Sequence, residues 1–144
     1  MSDKQADMMA ILKLYELRRD DKMRQARAWY FTEFSPDSAA DVVKLFVSGE
    51  RESAYYRMVV SYWDMAASFV NNGALDEKLF VDSVSEPVFV YAKVEPYLAE
   101  IREMFNEPEY LIHLEQVAKQ YSNLEDKLAA RRRLFAHWKQ KEAA

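Results

Sequence analysis

Only two glycines and four prolines punctuate 144 residues. Tight turns rely on Gly for positive φ and on Pro for a preset φ, so this chain lacks the reversals that a many-stranded β architecture demands. Long helices with few connections remain. Half the residues are hydrophobic and 31% are charged, so burial can offset the entropy of ordering the chain, and a folded, soluble protein is expected. At this length one domain, residues 1–144, is sufficient. The expected fold class is all-α: a bundle of six or seven helices around a central apolar helix, with a long N-terminal helix.

The central helix is predicted over residues 50–72. At 100° per residue, Tyr55, Tyr56, Met58, Val59, Val60, Tyr62, Trp63, Met65, Ala66, Ala67, Phe69 and Val70 cover roughly 220° of its circumference. Such a helix should be surrounded by other elements. The N-terminal helix is predicted over residues 3–33, where no Pro or Gly intervenes, with a charged run at 16–22 interrupting its apolar stripe. Ser35-Pro36-Asp37-Ser38 reads as a turn and cap before a short helix at 39–48 that stops at Gly49. Gly73 stops the central helix, and Asp76 caps another short helix at 77–84.

Residues 88–94 are β-branched and apolar, a composition shared by strands and buried helices. The wider spacing of Val88, Tyr91, Val94, Leu98, Ile101 and Phe105 favours a helix kinked at Pro96, with a break at Glu95 as the alternative. Asn106-Glu107-Pro108 reads as a cap with Pro in the first turn of a helix running to 121. Ser122 and Glu125 then form a capping-box pattern for a last helix to 141.

Two stretches carry a family likeness. The segments from Asp21 to Tyr30 (DKMRQARAWY) and from Ser61 to Asp76 (SYWDMAASFVNNGALD) resemble a group of uncharacterised, all-helical bacterial proteins known only as domains of unknown function. The resemblance implies an all-α fold and a bacterial source. It lends no catalytic residue, ligand or partner.

The residues themselves point away from catalysis. Without Cys there is no disulfide framework, thiolate nucleophile or thiolate metal site, and a reducing, cytoplasmic compartment is expected. Di-metal helical proteins use Glu-x-x-His pairs, but the residues three before His113 and His137 are Tyr110 and Leu134. Glu109 and His113 are four apart, and His113 reads as a half-buried structural residue. No Ser sits in a nucleophile elbow, and two glycines cannot build a phosphate-cradling loop. The expectation is a non-enzyme with no catalytic residue, no cofactor and no metal. No apolar run reaches the length of a membrane span, and the first residues lack a signal-peptide pattern.

Three features carry candidate binding functions. The polar strip of the central helix, Arg57, Ser61, Asp64 and Ser68, would line a cleft for a small ligand or else face water. In the last helix, Leu124, Leu128, Arg131, Phe135 and Trp138 share one stripe, so Arg131 is expected to be buried along its stem and ion-paired with Glu103 or Asp64. Charge is uneven along the chain. Residues 1–27 carry net +2, residues 28–126 net −11 and residues 127–144 net +5. The basic last helix, with Arg131-Arg132-Arg133, Lys139 and Lys141, is an alternative site for nucleic acid or an anionic membrane surface. Neither is the expected partner, because cations near a helix C-terminus complement its dipole and the acidic body repels phosphates.

The expected partner is a second copy of the chain. From 8 to 17 every residue but Lys13 and Glu16 is apolar, and Met8, Met9, Ile11, Leu12, Leu14, Tyr15 and Leu17 surround the helix. One core covers one side of such a segment, so the other is available for a homodimer interface. The competing arrangement folds the whole segment into a groove of its own domain. Ten residues are too few to cross a bilayer.

Overall fold

A computed structural model describes residues 3–143. Among the described residues nine α-helices follow one another: α1 (Asp3–Leu17), α2 (Asp21–Thr32), α3 (Ala39–Ser48), α4 (Arg51–Asn71), α5 (Glu77–Ser83), α6 (Glu86–Val94), α7 (Leu98–Phe105), α8 (Ile112–Ala118) and α9 (Leu124–Ala143). No strand occurs among the described residues. The fold is all-α, with more and shorter helices than the six or seven that the sequence predicts.

The central position of α4 follows from its composition. Tyr56, Val59, Val60, Trp63, Ala66, Ala67 and Val70 are buried along it, and the helix packs chiefly against α2 and α8, with α3, α5 and α6 also touching it. Its apolar arc is wider than its neighbours cover, because Met65 and Phe69 remain exposed. Tyr30 and Tyr56 have no exposed surface and sit in an aromatic cluster with Phe34 and Phe46. Their polar ends are satisfied: Tyr30 donates to the Val90 carbonyl at 2.7 Å, and the Tyr56 and Tyr110 hydroxyls lie 2.7 Å apart. Such pairing is what permits tyrosines in a dry core.

The single helix predicted over 3–33 is instead two. Asp20 takes φ −55° and ψ 139°, outside the helix, and its carboxylate accepts from the amides of Lys22 and Met23. A good N-cap inside the charged run therefore ends the continuity that the absence of Pro and Gly allows. The break folds α1 back onto its own domain. Ile11 and Leu14 join the core, α1 lies against α5, and Asp7 accepts from the Asp76 amide at 2.9 Å.

Residues 88–94 are helical, and almost every side chain of α6 is buried. A helix covered on all sides shows no polar face, which explains the ambiguity of its sequence. At Pro96 the chain tightens into a 3-10 turn, Glu95–Tyr97, and continues as α7. This lies between the expected kink and the alternative break.

Pro108 does not open a helix. Asn106 adopts φ 54° and closes α7, residues 108–111 form turns, and α8 starts at Ile112 after Leu111 with φ 55°. A left-handed Leu is strained by about 1–2 kcal/mol, an amount comparable to what burial of its side chain returns. Before α9, Asn123 takes φ 53°, while Ser122 Oγ accepts from Lys127 Nζ at 3.4 Å.

Candidate functional site

On α1 the two faces differ sharply. Ile11 and Leu14 are 8% and 6% exposed, whereas Met8, Met9, Leu12, Tyr15 and Leu17 are 47%, 60%, 54%, 56% and 46% exposed. Met8, Leu12 and Tyr15, at i, i+4 and i+7, form a stripe with Met9 beside it. Of the seven expected interface residues, Ile11 and Leu14 belong to the protein's own core. That corrects their assignment to the interface, because one side of the segment is covered by its own core. Lys13 and Glu16, 3.6 Å apart, flank the exposed face with both signs of charge. Tyr62 on α4 donates to the Leu14 carbonyl. Met65 and Phe69 lie one and two turns further along the same side of α4, and both are exposed.

The polar strip of α4 is divided between two roles. Arg57, Ser61 and Asp64 line an open cleft of about 490 Å³ with Glu107, Glu109 and Leu111, whereas Ser68 is outside it and donates to the Met65 carbonyl. Asp64 Oδ1 accepts from the Leu114 amide at 2.9 Å, which places a carboxylate on the N-terminal turn of α8. A residue read as a ligand contact thus caps a helix distant in sequence. His113 Nδ1 meets Asn71 Nδ2 at 3.1 Å, tying α8 to the end of α4. Among the described residues no group of three or more His, Asp or Glu is placed to share a metal ion.

Arg131 is packed as expected but has no carboxylate. Its guanidinium carbon lies 4.6 Å from the Phe89 ring centroid, and it forms no ion pair among the described residues. The neighbouring Arg132 takes the ion pair, meeting Glu95 Oε1 at 3.0 Å and donating to the Ala92 carbonyl at 3.0 Å. One step around the helix moves the side chain from the Phe89 face to the α6 end. The run Arg131-Arg132-Arg133 is therefore split, with two of its cations engaged internally and Arg133 exposed.

Two polar centres escaped the sequence reading. Lys93, in the middle of the apolar run of α6, is buried, and Nζ donates to the carbonyls of Phe31 and Phe34 and lies 4.4 Å from the Phe135 ring. Burial, aided by Lys139, lowers it from 10.5 to about 8. It lines a cleft of about 330 Å³ with Tyr97, Arg132 and Lys139. A Lys inside an apolar run was the only signal available.

The second centre is Glu86, whose side chain is 11% exposed. Arg27 grips it with Nε at 3.0 Å and Nη2 at 2.6 Å, Arg18 Nη1 lies at 3.3 Å, and the Trp63 indole donates at 2.9 Å. The hydrogen bonds to Glu86 raise Arg27 above its ordinary value despite partial burial. Burial raises the nearby Tyr62 to about 12. No local pattern announces this cluster, since its members lie on three helices and the α1–α2 link.

Neither a curated protein nor a solved structure matches the chain. A family model matches residues 5–121, which include α1 from its third residue through α8 and stop short of α9. The chain belongs to the family described as Domain of unknown function (DUF4760).

Proposed function

We propose that this domain is a non-catalytic interaction module that self-associates, α1 of one copy seating on α1 of another. The observation that carries the reading is the exposed stripe Met8, Leu12 and Tyr15 on a helix whose opposite face is committed to the core. Contiguous apolar surface of this kind is costly in water and marks contact sites. Its composition suits a two-fold interface of Met, Leu and Tyr, and flanking charges of both signs let identical surfaces meet without like-charge repulsion. The absence of Cys is compatible with a reducing, cytoplasmic setting for that assembly, and the family likeness of the segments at 21–30 and 61–76 with a bacterial source. No described helix is long and apolar enough to cross a membrane.

Small-ligand binding is the second reading, supported by the cleft beside Arg57, Ser61 and Asp64. Its openness and the engagement of Asp64 with α8 make it the weaker one.

Light scattering at micromolar concentration tests the first reading. The intact chain is expected at twice its 17.0 kDa mass, and Met8→Glu with Leu12→Glu is expected to give monomer with unchanged helicity. A monomeric intact chain refutes self-association, and an unchanged dimer in the variant removes α1 from the interface. These substitutions are preferable to truncation near Arg18, which would also delete Ile11 and Leu14 from the core.

A further inference from the structure

We propose that the hollow at the α1–α2 corner binds a tetrahedral oxyanion of the phosphate class. Arg18, Arg19, Arg24 and Arg27 line it together with Tyr15, and its volume is about 120 Å³. Pockets for drug-sized molecules begin at roughly 300 Å³. This one suits a small anion and its waters.

Charge makes the stronger case. Four arginines line the hollow, and the only carboxylate ion-paired with any of them among the described residues is Glu86, which both Arg18 and Arg27 share. Those two side chains are only 15% and 27% exposed, so the excess positive charge is poorly screened on its inner side. The nearby Asp20 is occupied as the α2 cap. Arg19 and Arg24 are exposed and have no ion pair among the described residues.

A donor is also unmet. Arg18 Nε is buried and has no hydrogen-bond partner, a condition that a buried donor avoids. The guanidinium is held between rings, its carbon 5.2 Å from the Tyr15 centroid and 5.3 Å from that of Trp63. It is therefore ordered before any ligand arrives, which lowers the entropic cost of binding. A carboxylate offers two oxygens in one plane, whereas a hollow lined by four arginines can occupy an anion with three or four oxygens.

Titration with inorganic phosphate at constant ionic strength, followed by amide chemical shifts, provides the test. Saturable shifts confined to residues 15–27 are expected. Arg19→Gln and Arg24→Gln should each weaken binding roughly tenfold, as loss of a charge-assisted hydrogen bond does. Both are exposed, so the fold should survive, which circular dichroism checks. Removing two cations elsewhere, Arg51→Gln with Lys78→Gln, should leave affinity unchanged. Vesicles containing phosphatidate distinguish a lipid phosphate from a free one. Binding to either source that the double variant R19Q/R24Q loses supports the site. Absence of binding to both sources, or binding that is indifferent to these arginines, overturns it.

Discussion

Glu86 shows how one carboxylate organises residues that no local rule connects. With Arg27 and an indole donating to it and Arg18 ion-paired with it, Glu86→Ala leaves two guanidiniums partly buried and unpaired, and a loss of about 3–5 kcal/mol is expected in urea unfolding. Arg131 makes a useful contrast, because it stacks on Phe89 without a carboxylate. Arg131→Ala should cost only about 1–2 kcal/mol, from lost stem packing and cation–π attraction. Equal costs for the two variants would contradict this difference in environment. Lys93 carries a pH signature. Its folded value, about 8, lies below its unfolded 10.5, so between those values the unfolded chain binds more protons and stability rises with pH. Below pH 8 the penalty is complete, at most about 3 kcal/mol. Lys93→Met removes that term, so the stability of the variant relative to the parent should be higher at pH 7 than at pH 10. Urea midpoints at the two pH values decide it, and a pH-independent difference would refute it.

At the scale of elements, caps set where helices begin and end, and they come from two kinds of source. Ser38, with its Oγ accepting from the Asp41 amide at 3.1 Å, and Asp76, accepting from the Leu79 amide at 2.9 Å, are local and visible in the sequence. Gly49 with φ 69° and Gly73 with φ 81° end α3 and α4 in the left-handed region. The cap on α8 is different, because Asp64 reaches it from α4. Asp64→Ala should cost about 1 kcal/mol, the ordinary worth of a helix cap, and should raise hydrogen exchange in the first turn of α8. If exchange rises equally across α4 and α8, the carboxylate is not acting as a cap.

For the whole molecule, the aromatic core explains why α4 can be central and α1 only half attached. One cluster of buried side chains extends from Ile11 to Leu128, and α1 contributes Ile11 and Leu14 to it while exposing most of its other apolar side chains. Trp63 is fully buried at the crossing of α4 with the Glu86 centre. Trp63→Ala should cost about 3–5 kcal/mol through cavity and transfer terms together, whereas Leu12→Glu should leave the monomer fold nearly unchanged and act only on association. Thermal melts of the two variants, run below the association range, separate core from interface.

The all-α class, the place of α4, and the short helices at Ala39–Ser48 and Glu77–Ser83 were legible in the sequence alone. Each rests on local physics: scarcity of turn residues, 3.6-residue periodicity, a side-chain cap or a glycine stop. The division of α1 from α2 was partly legible, as a charged run whose capping Asp20 was not recognised. Only the tertiary structure decided that Ile11 and Leu14 face inward while Leu12 and Tyr15 face out, since a helix apolar all round carries no sign of which side its core will take. The same holds for the sites. Periodicity placed Arg131 on the apolar stripe, but whether a cation meets a ring or a carboxylate depends on what a distant helix presents. The three-helix Glu86 cluster and the carbonyls around Lys93 are long-range coincidences of packing, and spacing along a single helix cannot encode them.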